Sequence, residues 1–130
     1  MKKIIFDGKL FAIIVPSEFT KEGIEFFTPG EFSQQLGYMK RPEGYVIPPH
    51  THGVVKREVF YTLETLFIRK GRMRVDFYSE ERELFDSYVV KTGDVIMLVF
   101  GGHGFVMLEE SEIIEVKQGP FIGDQDKVRF

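Results

Sequence analysis

The segment GRMRVDFY, residues 71–78, alternates in character at every step: Met73, Val75 and Phe77 fall on one side of an extended chain, Arg72, Arg74 and Asp76 on the other. A period of two belongs to a half-buried β-strand. No long segment competes with it by carrying apolar residues at helical spacing. Short runs of branched and aromatic residues recur instead, bounded by turn residues. KLFAIIV stops at Pro16 and GIEFF at Thr28-Pro29-Gly30, while YVV and DVIMLVF flank Lys91-Thr92-Gly93. HGFVML and EIIEVK complete the series. FSQQLGYMK and GYVIPPHTH read as further extended segments, the second because its prolines exclude a helix. Many short strands at near-regular spacing predict an all-β sandwich or barrel.

The size of the chain bounds the rest. Its 130 residues fit one domain, and 43% hydrophobic content with 14 phenylalanines supplies a sizeable core. A net charge of -3 leaves no basic footprint for nucleic acid or an anionic membrane. With no cysteine, a metal site must use nitrogen and oxygen ligands. Asp7, Gly8 and Lys9 interrupt the apolar N-terminus, which therefore reads as a strand rather than a signal peptide. No run reaches the ~18 apolar residues of a membrane span, so a cytoplasmic protein is expected.

Two of the three histidines, His50 and His52, are two residues apart. In a strand both emerge on one face, the spacing two imidazoles need to meet one ion, although ordinary strand histidines share that spacing. His103 follows a double glycine at the end of an apolar strand. Two carboxylates qualify as partners. Glu58 sits beside Lys56 and Arg57 and reads as solvated; Glu64 shares a strand face with Leu66 and Ile68 and is preferred. An inward carboxylate needs a metal or a cation to offset its burial.

These residues resemble the motifs of the cupin superfamily, small β-barrels of jelly-roll type. Five residues separate Gly44 from His50-Thr51-His52, and six separate Glu64 from Gly71, as in the first cupin motif. Gly93, Gly101 and His103 follow the second. The chain departs from the pattern in the eleven residues between His52 and Glu64, in a turn one residue short before His103, in Val99 for proline and in Met107 for asparagine. The resemblance implies a single cupin domain over 1–130, with barrel motifs at 44–117, N-terminal strands within 1–43 and a surface tail at 118–130. It also implies His50, His52, Glu64 and His103 as ligands of one divalent transition metal per chain, iron, manganese, nickel or zinc. An association with cell-surface polysaccharide biosynthesis and a homodimer are further implications. Phe67 and Arg69, on the face opposite Glu64, offer an exposed aromatic for a second subunit to cover.

Around such a centre, Phe105 and Met107 alternate with His103 and form an apolar wall, with core packing as the alternative. Tyr45 and Tyr61 supply hydroxyls, Tyr61 being the candidate catalytic acid. Lys56 and Arg57 are candidate substrate-anion contacts or a solvated loop. Lys117 is within reach of the same rim but reads as a surface strand residue. Three functions fit. One is a metal-dependent enzyme oxidising or isomerising a small oxygenated or sugar-like substrate. Another is a metal-independent sugar-nucleotide isomerase or epimerase with a histidine base and Tyr61 as acid. The third is a non-catalytic small-ligand module.

Overall fold

The computed structural model describes all residues, Met1–Phe130. It contains ten β-strands, one short 3-10 helix and no α-helix, so no helix is long and apolar enough to cross a membrane. The strands are β1 (Lys2–Phe6), β2 (Lys9–Val15), β3 (Gly23–Phe26), β4 (Gly37–Lys40), β5 (Glu64–Lys70), β6 (Arg72–Tyr78), β7 (Leu84–Lys91), β8 (Val95–Leu98), β9 (Gly102–Met107) and β10 (Glu112–Lys117). The chain divides into two compact units, Met1–Phe19 with Thr62–Phe130, and Thr20–Tyr61.

The larger unit holds two antiparallel sheets, ordered β1-β2-β8-β5-β10 and β7-β6-β9, and neither closes on itself. Asp7 and Gly8, both at positive φ, make the two-residue turn between β1 and β2. One residue, Gly71, carries the chain from β5 in the first sheet to β6 in the second. Its φ is +101°, and a Cβ there would stand 2.6 Å from the carbonyl oxygen of Glu110.

Both sheets feed one core. Ile4, Phe11, Ala12, Ile14, Leu66, Ile68, Ile96 and Leu98 come from the first, Met73, Val75, Phe77 and Val90 from the second. This all-β arrangement is compatible with a β-sandwich. The alternation in β6 is as expected on its apolar side. Asp76, expected among the solvent-facing residues, is instead buried, because Arg74 and the Ser87 hydroxyl occupy its carboxylate oxygens.

The two open sides of this unit differ in chemistry. Where β1 meets β7, Phe6 stacks on Phe85 with ring centres 4.3 Å apart, and Phe11 packs edge-on to Phe85 and Phe100. Phenylalanine seals that side. Where β9 and β10 form the sheet edges, the inner faces carry polar groups. The tail is tied down by the Thr62 hydroxyl donating to the Asp126 carboxylate, and Phe130 packs edge-on against Tyr78.

In the smaller unit, β3 pairs antiparallel with β4. The Gln35 amide donates to the carbonyls of Pro29 and Phe32, holding a turn across part of the expected FSQQLGYMK segment, so only its last four residues pair. The expected strand at 44–52 does not form, and no strand occurs between Lys40 and Glu64. Pro48 and Pro49 have no N–H to give a ladder, which leaves extended chain without a partner strand.

Candidate metal centre or acid-base site

Glu64 opens β5 on the face that buries Leu66 and Ile68, and only 8% of it is exposed. Register explains what meets it. In the other sheet, β9 pairs with β6 so that His103 lies across from Phe77, Phe105 from Val75 and Met107 from Met73. Directly paired residues share a sheet face, so His103, Phe105 and Met107 all point toward the space between the sheets. The Nε2 of His103 stands 3.2 Å from one Glu64 oxygen, Oε2. Phe105 packs against the His103 ring, 5.3 Å between centres.

The second edge supplies a cation. In the β5–β10 ladder Lys117 pairs with Glu64 and Glu115 with Leu66, which puts both charged side chains on the inner face. The Lys117 ammonium lies 3.9 Å from the other Glu64 oxygen, Oε1, and 3.8 Å from Oε1 of Glu115. A hydrogen bond from His103 holds the Glu64 carboxyl below its ordinary range against the opposing effect of burial, and the charges of His103 and Lys117 add to it. Glu64 is therefore an ionised carboxylate in a largely desolvated position.

Phe105 and Met107 are not core residues. They keep 39% and 48% of their surface because β9 is an edge strand, and they form an apolar margin beside His103.

The remaining predicted residues belong to the smaller unit. His50 and His52 come together there, with ring centres 5.3 Å apart and both exposed. The Nδ1 of His50 is 2.9 Å from the Pro48 carbonyl oxygen. The Tyr45 ring lies under the Arg41 guanidinium, and Tyr61 and Lys56 are exposed. Arg57 and Glu58 line an open groove with Glu31, Phe32 and Gln35. Within neither unit do three His, Asp or Glu side chains meet in a group that could hold a metal ion.

The donor set in the larger unit fits a metal as a pair. Two ligands each about 2.1 Å from one ion stand about 3.0–3.4 Å apart, and the Glu64–His103 separation of 3.2 Å falls in that interval. The same distance suits a hydrogen bond between imidazole and carboxylate. Lys117, read from the sequence as a surface strand residue, turns inward together with Glu115, which no sequence pattern singles out. No protein-family model, curated protein or solved structure matches the chain.

Proposed function

We propose that the chain is a metal-binding protein of jelly-roll, cupin-like type, acting on a small oxygenated or sugar-like molecule in the opening between β9 and β10. One observation carries this reading: a nearly buried carboxylate faces an imidazole nitrogen at the separation of two ligands of one ion. Glu64 and His103 are the ligands this supports, and the sequence resemblance adds His50 and His52. A divalent transition metal there supplies Lewis-acid or redox chemistry. Phe105 and Met107 offer the substrate an apolar contact. On the outer face of the five-stranded sheet, Phe67 lies across from Ile114, and both, with Val116, are exposed. This patch supports a homodimer.

The test is the metal content of protein purified without an affinity tag. About one metal per chain is expected in the wild type, with loss in Glu64→Gln and in His103→Ala. Full occupancy retained in Glu64→Gln overturns the assignment of that carboxylate. His50→Ala, measured alongside, reports whether the His50–His52 pair belongs to the same set.

Lys117 favours a second reading. With an imidazole on one oxygen and an ammonium near the other, Glu64 is already offset without a metal. Glu64 then orients His103, which serves as general base in a metal-independent isomerisation. Activity in fully metal-free protein selects this reading over the first.

A further inference from the structure

Lys117 and a metal ion would answer the same need. Glu64 divides its two oxygens, Oε2 toward His103 and Oε1 toward Lys117. The ladder places the lysine main chain directly opposite Glu64. At 3.9 Å and 3.8 Å from its two acidic neighbours, however, the ammonium is too distant for a hydrogen bond to either. It is held by charge alone and keeps 29% of its side-chain surface in solvent. Around it the inner face carries two carboxylates, Glu64 and Glu115, against one lysine. A divalent cation between Glu64 and His103 reverses that balance and leaves the ammonium facing a neutralised partner.

From this we propose that Lys117 is an exchangeable counter-ion. It neutralises Glu64 while the site holds no metal and gives up the carboxylate when a divalent cation binds. The proposal rests on the metal-binding reading. Lys117 is on this account a positioning residue whose charge sets metal affinity, and it is not itself a ligand.

The experiment measures Zn(II) affinity of the full, untagged chain by competition with a chromophoric chelator. The proteins compared are wild type, Lys117→Gln, Lys117→Arg, Glu64→Gln and the double variant Glu64→Gln/Lys117→Gln. Lys117→Met serves as a second neutral variant should the glutamine not fold, as judged by circular dichroism. Removing the charge is expected to tighten Zn(II) binding about tenfold or more, since like charges at this range repel strongly in a partly desolvated site. Lys117→Arg keeps the charge and stays near wild type. The gain disappears in the Glu64→Gln background. Equal affinity of wild type and Lys117→Gln overturns the proposal, as does an equal gain with Glu64 already replaced, which marks a general charge effect. An absence of Zn(II) binding in every protein is a different outcome: it overturns the metal reading, and the counter-ion role with it.

Discussion

Phe77 and His103 are direct cross-strand partners on one face of one sheet, yet Phe77 is 1% exposed and the His103 side chain 30%. The hydrophobic core gives way to the polar site within a single residue pair. Phe77 belongs to β6, the central strand of its sheet, and His103 to β9, the edge. Replacing Phe77 with alanine is expected to cost about 3–5 kcal/mol, from lost transfer free energy plus a cavity that close-packed neighbours cannot fill. Equilibrium urea unfolding measures it. A loss under about 1 kcal/mol contradicts the packing described.

The corner at Gly71 predicts a cost of a different origin. Its positive φ and the Glu110 carbonyl 2.6 Å from any added Cβ leave alanine no relaxed position. Gly71→Ala is expected to lose about 2 kcal/mol or more, counting backbone strain and displacement of the neighbouring loop. Gly53→Ala, where a Cβ meets nothing within 4 Å, serves as the control and changes stability by less than about 0.5 kcal/mol. Similar unfolding midpoints for the two variants would falsify the tight crossing.

Asp76 predicts a pH dependence. Arg74 donates from Nε and Nη2 at 2.8 and 2.9 Å, and the Ser87 hydroxyl at 2.6 Å. The Arg74 hydrogen bonds, then that of Ser87, hold the folded carboxyl below its ordinary value. A depressed folded value means the stabilisation is present above the unfolded carboxyl pKa, about 3.9, and is lost as pH falls through the folded value. Asp76→Asn is expected to cost about 1–2 kcal/mol at pH 7, with the gap to wild type closing below about pH 4. Unfolding titrations from pH 3 to pH 7 test this. A gap of constant size throughout assigns the loss to packing instead.

Much of this fold was legible in the sequence, and the limits were physical. Strict alternation in β6 identified its core residues, and Glu64 was found because Leu66 and Ile68 share its parity. Applied to β10, the same rule would mislead. Ile114 and Val116 are apolar yet exposed, while Glu115 and Lys117 turn inward. Parity locates the core only where apolar residues face it, and at the β10 edge the inward Glu115 and Lys117 are polar. The failure at 44–52 had another source: extended propensity was present, but a strand needs a partner ladder, and two prolines withhold their N–H groups. That β9 and β10 lie where Glu64 can meet both His103 and Lys117 depends on pairing between distant segments, which no local pattern encodes.

The exposed partners Phe67 and Ile114 allow the proposed homodimer to be tested. If a second copy covers this patch, a charge placed there disrupts association without disturbing the fold, since neither side chain is in the core. Ile114→Lys is expected to convert the proposed dimer to a monomer in sedimentation velocity, with an unfolding free energy within about 0.5 kcal/mol of wild type under conditions where both are monomeric. A wild type that sediments as a monomer dismisses the dimer.

The last prediction concerns how Glu64 shares its two neighbours. His103→Gln leaves the carboxylate near Lys117, and Lys117→Gln leaves it near His103, so each single change is expected to cost only about 0.5–1.5 kcal/mol. Together they strand an almost buried carboxylate with neither partner, and the double variant should lose more than the sum. A coupling of about 0.5–3 kcal/mol is the usual range for residues in one network. Adding Glu64→Gln to the double variant removes the unpaired charge and should restore part of the loss. Urea unfolding of the full cycle at pH 7 decides the matter. Strict additivity, or no recovery on neutralising Glu64, shows that the three side chains do not act as one electrostatic unit.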